Sequence, residues 1–144
     1  MPKVFGRILV PVDGSDVAKK AAEKALTLAK STDIPVVALH VININLYAYK
    51  TEIVYPTEIP LHELIQREGH SYLDEIVTLG EQMGINVSKK LVEGHPAEEI
   101  IKEANEDDLI VIGSKGKTAL DRLLLGSVAE TVVRHASCPV MIVR

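Results

Sequence analysis

In RILVPVDGSDVAKKAAEKALTLAKSTDIPVVALHVI, residues 7–42, three patterns follow one another. Arg7 to Val12 is a short apolar run ended by Asp13-Gly14-Ser15, the pattern of a buried strand meeting a turn. From 17 to 31 the residues Ala18, Ala21, Ala22, Ala25, Leu26 and Ala29 recur at helical spacing, with Lys19, Lys20, Glu23, Lys24 and Lys30 on the other side. Ser15 or Asp16 is placed to cap that helix, and its small alanines let it lie close on a sheet. Pro35 to Ile42 is β-branched and almost continuously apolar, as expected of a strand covered on both faces.

The same alternation continues to the end of the chain. Residues 44–57, INLYAYKTEIVYPT, show no clear period and read as a loop or irregular lid, a length that is uncommon without a purpose. A long helix follows from about Glu58 to Met83, with Leu61, Leu64, Ile65, Tyr72, Leu73, Ile76, Leu79 and Met83 on its inner face and Gly84 placed to end it. Residues 85–92 form a third, less buried strand. Pro96 opens a helix with Ala97, Ile100, Ile101 and Ala104 inward. Residues 108–112, DLIVI, are a fourth strand running directly into Gly113. Ser127 starts a helix carrying Val128, Ala129, Val132, Val133 and Ala136, and 139–143, PVMIV, is a fifth strand. Parallel neighbours need crossover connections, so this order specifies an α/β fold: a three-layer, doubly wound, five-stranded parallel sheet with helices on both faces. Its crossovers are right-handed. No internal repeat or linker interrupts residues 1–144, which predicts a single domain. In such sheets ligands sit beyond the carboxyl ends of the strands where the winding reverses, which directs attention to Asp13-Gly14-Ser15 and Gly113-Ser114-Lys115-Gly116.

Composition narrows the function. The chain has 144 residues, 47% hydrophobic but only 3% aromatic, with no Trp and one Phe, so the core is built from Val, Ile, Leu and Ala. Sixteen basic against twenty acidic residues give a net charge of -4, spread rather than blocked, and a nucleic-acid partner is not expected. A lone Cys138 in an apolar run reads as a structural thiol and suits a reducing compartment. The apolar run at the N-terminus is too short for a signal sequence, and no stretch approaches the roughly 20 apolar residues of a membrane span. No membrane partner is expected, and a cytoplasmic location follows by default.

Gly113-x-x-Gly116, nine further residues, then Gly126-Ser127 is the segment best suited to chemistry. Glycines let backbone amides converge on one point, such arrays bind anions, and a helix starting at Ser127 adds unpaired amides and the positive end of its dipole. A phosphate chain fits. The plainer reading is that Gly113 and Gly116 serve a turn and that Ser127-x-x-Glu130 is a capping box. Gly116-Lys117-Thr118 ends like a P-loop, but the required first glycine falls on Val111, so that motif is rejected. The Rossmann fingerprint is missing after the first strand. Lys115, Lys117 and Arg122 are candidates to neutralise phosphates. Asp13 ends the first strand where it could accept from ribose hydroxyls or an adenine amino group or help hold a metal through water, or equally cap a turn or helix. Pro11 and Val12 are expected to form an apolar wall beside it, with the backbone of His40-Val41 facing a base. The five histidines are scattered, which argues against a metal site, and no Gly-x-Ser-x-Gly elbow or base accompanies Ser15, Ser114 or Ser127.

The segments RILVPVDGSDVAKKA, EGHPAEEI and GSKGKTALDRLLLGSVAETVVRHASCPVMIVR, spread over essentially the whole chain, resemble the universal stress protein family, and specifically its ATP-binding subgroup. The signature Gly-x2-Gly-x9-Gly-Ser/Thr is met by Gly113, Gly116, Gly126 and Ser127. The resemblance implies ATP as ligand: Asp13 and the Val41 backbone toward adenosine, Pro11 and Val12 at the base, Gly113 at the ribose, and Ser114, Gly116, Gly126, Ser127 and Val128 on phosphates bridged by Mg²⁺ or Mn²⁺. Ser15 and Lys115 complete the candidate binding set. It also implies strand order 3-2-1-4-5 and a homodimer through the last strand, in keeping with an apolar edge that needs a partner. The expected role is a nucleotide-dependent regulator or sensor read by partner proteins. The alternative is a slow ATPase or phosphotransferase using the same pocket. A phosphorylation-driven receiver domain fits poorly, because Asp13 is alone and the third strand runs into Glu93-Gly94.

Overall fold

The computed structural model describes residues 3–45, 60–116 and 125–144. Its elements are β1 (Arg7–Pro11), α1 (Asp16–Thr32), β2 (Val36–Asn43), α2 (Leu61–Gln82), β3 (Val87–Gly94), α3 (Pro96–Glu103), β4 (Asp108–Gly113), α4 (Ser127–His135) and β5 (Val140–Val143). The five strands form one sheet in the order β3-β2-β1-β4-β5, and all four neighbouring pairs are parallel. The expected doubly wound architecture and strand order are therefore observed.

Period-two alternation divides the core between the faces of this sheet. Ile8, Val10 and Val12 of the first segment turn with Val36, Ala38, Leu109 and Val111 toward α1 and α2, where Ala21, Ala25, Leu26, Leu73 and Ile76 meet them. Leu9, Leu39, Val41, Ile110 and Ile112 turn the other way onto Ile100 of α3 and Ala129 and Val132 of α4. Ile8, Leu9 and Val10 are fully buried, as befits a central strand. Each such side chain contributes about 1.5–3 kcal/mol relative to exposure.

The helix signals are largely obeyed. Ser15 caps α1, its hydroxyl accepting from the Ala18 amide at 3.1 Å, and Pro96 opens α3. After α2 the chain turns through Met83 and Gly84, the latter at φ +75, where a left-handed backbone suits glycine. Ile85 belongs to this stop: its amide donates to the Gly80 carbonyl at 2.8 Å. That bond is why β3 begins at Val87 and not at residue 85. On α4, Ala129 and Val132 are buried while Val133 is exposed. Most of the expected loop, and residues 58 and 59 of the expected long helix, lie outside the described residues, as do Lys117 and Arg122.

One ionic network fastens the opposite end of the sheet from the glycine segment. Asp108, at the start of β4, is fully buried and accepts from Arg7 Nε at 3.0 and 3.1 Å and from the Asn105 amide at 2.8 Å. Arg7 also donates to the Glu103 carbonyl at 2.8 Å, tying β1, β4 and the end of α3 together. The hydrogen bond to Asp108 leads the effects that raise the guanidinium pKa above its ordinary value. A raised folded value means that this contribution is present at neutral pH and is lost only as pH climbs through the strongly alkaline range. Removing one partner of a buried pair leaves the other uncompensated, so Asp108→Ala is expected to lower stability by about 3 kcal/mol in urea denaturation. Asp108→Asn, which keeps an acceptor for Asn105, is expected to cost less. A loss below about 1 kcal/mol for the alanine variant would contradict this account.

Candidate functional site

The winding reverses between β1 and β4, so the crevice lies where their carboxyl ends diverge. From β1 the chain passes Asp13 and Gly14 and enters α1. Gly14 sits at φ +83 with the Tyr72 ring packed where a Cβ would project, so both backbone angle and space demand glycine. Asp13 Oδ1 accepts from the Ser15 amide at 3.0 Å, and Ser15 Oγ accepts from Ala18. With Asp16 in its first turn, α1 thus begins in side-chain oxygens that take up its donors and offset its dipole.

The far wall is the glycine segment. Gly113 ends β4 against α1: a Cβ there would stand 2.8 Å from Val17 Cγ1 and 3.2 Å from the Ala18 amide nitrogen. Ser114 is buried, and its amide donates to the Val143 carbonyl at 2.7 Å. Its own carbonyl accepts from Gly126 at 2.6 Å, so the two ends of the segment 113–127 are pinned together. Gly126 packs so closely on this crossing that a Cβ would lie 3.2 Å from Lys115 Cα and 3.3 Å from the Ser114 oxygen. A Cβ on Gly116 would lie 2.9 Å from Asp13 Oδ2. Asp13 and the glycine segment, 100 residues apart in sequence, are therefore neighbours.

The capping box that the plainer reading of Ser127-x-x-Glu130 offers is not formed. Gly126 is the N-cap of α4 and brings no side chain to it, while Ser127 is the first helical residue. Glu130 instead donates its amide to the Gly126 carbonyl at 2.9 Å and pairs its carboxylate with Arg134 at 3.0 Å. The amides of Ser127, Val128 and Ala129 consequently open α4 with no intrahelical carbonyl to accept from them.

Val12 packs into the core beneath α1 and α2. The register pairs Pro11 with Leu39, and the same two-residue advance that reaches Asp13 on one strand reaches Val41 on the other. Val41 itself is buried against the α3 and α4 side, which leaves its backbone as the part nearest the mouth. A groove of about 120 Å³ lies on the α1 and α2 side, lined by Val12, Gly14, Ala18, Tyr72 and Ile76 and crossed by a Lys19–Glu75 ion pair of 2.9 Å. It falls well short of the roughly 300 Å³ at which small-molecule pockets begin. Among the described residues no cluster of three or more His, Cys, Asp or Glu could hold a metal, and no helix is long and apolar enough to cross a membrane.

Known proteins share this fold. Universal stress protein MJ0531 of Methanocaldococcus jannaschii is 38% identical over 146 residues, covering 98% of this chain and 83% of its own length. Protein MJ0577, the subject of a structure-based assignment of biochemical function, superposes with a TM-score of 0.79 at 31% identity, over 97% of this chain and 96% of that one. The universal stress protein from Archaeoglobus fulgidus in complex with dAMP superposes with a TM-score of 0.69 at 25% identity, over 98% and 99% of the two chains. The family's sequence pattern itself matches residues 5–144, and this chain belongs to the universal stress protein family.

Proposed function

We propose that this chain binds an adenine nucleotide, ATP above all, in the crevice between Asp13 and the glycine segment, and that it acts as a nucleotide-dependent regulator or sensor in the stress response. The observation that carries this reading is the open start of α4. Its first-turn amides, unassisted by any side chain from Gly126, lie beside the backbone crossing of Ser114–Gly116 with Gly126. Anions favour such a place because the amides supply donors and the helix dipole supplies positive potential. The start of α1, by contrast, is already taken up by Asp13, Ser15 and Asp16, so like charge turns phosphates away from it. Asp13 suits the other end of the ligand, accepting from ribose hydroxyls or an adenine amino group. A relative with bound dAMP is the ligand class that this division of labour would select.

Mg²⁺ or Mn²⁺ would accompany the triphosphate, held by phosphate oxygens and water, since the described residues offer no acidic cluster of their own. Bound nucleotide would stabilise one arrangement of the 113–127 segment, which partner proteins then read. The fifth strand supports a homodimer: β5 lies at the sheet edge with Met141 exposed, and Val133 of α4 is exposed as well. Unpaired edges with apolar side chains seek partners.

Calorimetry on the purified protein tests the site. ATP is expected to bind more tightly than adenosine, and Gly126→Val to weaken ATP by about ten- to a hundredfold, the worth of one or two charge-assisted hydrogen bonds. Far-ultraviolet dichroism should be unchanged. Equal affinity for ATP and adenosine, or unchanged affinity in Gly126→Val, would overturn the phosphate assignment. For the assembly, Met141→Lys is expected to convert a dimer to a monomer in sedimentation equilibrium. A wild-type chain that sediments as a monomer at micromolar concentrations would remove the edge-pairing proposal.

A further inference from the structure

Two rings lie under the Val12–Asp13–Gly14 turn on the α2 side of the sheet, away from the glycine segment. His40 projects from β2, half-buried, with Nδ1 2.7 Å from the Val12 carbonyl oxygen. A carbonyl only accepts, so Nδ1 carries the proton and donates. The imidazole meets the Tyr72 ring edge-on, with centroids 5.3 Å apart and planes at 76°. Tyr72 in turn packs on Gly14 and donates its hydroxyl to Glu68, one turn back on α2. Room for the imidazole comes from Gly69, where a Cβ would stand 2.8 Å from His40 Cδ2. Glycines on two separate elements, Gly14 and Gly69, thus make space for the same ring pair.

The pair acts on a sensitive point. Val12 is tied to β2 through both of its backbone polar groups, its amide donating to the Leu39 carbonyl at 2.8 Å and its carbonyl accepting from His40. The peptide that carries this carbonyl leads directly into Asp13, so any rotation about it swings the Asp13 carboxylate. Among the described residues no backbone amide of a neighbouring strand donates to that oxygen, and the bond from His40 takes that place. Asp13 Oδ1 is then aligned on the Ser15 amide, with Oδ2 toward Gly116.

We propose that His40 is a positioning residue for the nucleotide site: by donating to the Val12 carbonyl and bracing against Tyr72, it fixes the turn that aims Asp13 into the crevice. Its part in ligand binding rests on the adenine-nucleotide reading given above; its hold on the turn does not. Through Tyr72 and Gly69 the same contact makes helix α2 one support of the site.

The experiment has two readouts. In calorimetry, His40→Leu is expected to weaken ATP about tenfold, the loss of one hydrogen bond's worth of alignment. In an Asp13→Asn background the same change should cost less than about twofold, because residues acting as one unit are not additive. His40→Asn, whose amide nitrogen takes the place of Nδ1, should restore most of the affinity. Unchanged affinity in His40→Leu, or an equal loss in both backgrounds, overturns the proposal. The second readout needs no ligand: amide hydrogen exchange at Ser15 should accelerate about tenfold or more in His40→Leu while Ile110 in β4 exchanges as before. Unchanged exchange at Ser15, or equal acceleration at both amides, also overturns it. A wild-type chain that binds no adenine nucleotide would sink the functional reading, and the Ser15 amide would still decide whether His40 holds the turn.

Discussion

The seating of α1 on the end of β4 governs the rest of this molecule. Gly113 has no side chain, so the backbone of Val17 and Ala18 comes within contact of the strand, and five buried alanines keep the rest of α1 equally close. A side chain at 113 would lift the helix and open the space beneath it, which a close-packed interior does not tolerate cheaply. With α1 seated, Asp13 is carried to Gly116, and the ends of β1 and β4 become two walls of one crevice. The site is therefore a consequence of packing between a helix and a strand that lie far apart in sequence.

Two helices start at this crevice and they are finished differently. The first is closed with oxygen, Asp13 accepting from Ser15 and Ser15 from Ala18. The second is entered through Gly126, which brings it no side-chain cap. One end of the cleft is thus acidic and the other electropositive, a polarity matched by a ligand with a hydroxyl-bearing sugar at one end and phosphate at the other. The Arg7–Asp108 network sits at the opposite end of the same two strands and holds their amino-terminal ends together.

Much of this was legible in the residues. Uninterrupted apolar strands separated by alanine- or leucine-faced helices left a parallel sheet as the only economical arrangement, and the glycines at 113, 116 and 126 marked the mouth. Local signals were read less well where tertiary contacts compete with them. Ser127-x-x-Glu130 has the letters of a capping box, but Gly126 is drawn onto the Ser114 carbonyl and becomes the cap, so the helix starts one residue earlier than that motif requires. Ile85 looks like the first residue of a strand, yet it completes the stop of α2. The His40 ring carries no signal of its contacts in the sequence, since they are with a carbonyl 28 residues away and with a glycine in α2.

The central claim is that an adenine nucleotide places its phosphates on the start of α4 and not on the start of α1. Titrating isotope-labelled protein with ATP while following backbone amide resonances tests it directly. The account predicts saturable shifts concentrated at Gly116 and at Ser127, Val128 and Ala129, with the amides of Asp16 to Ala18 little moved. Shifts centred on the first turn of α1, or no saturable shift at any amide of the crevice, would contradict it.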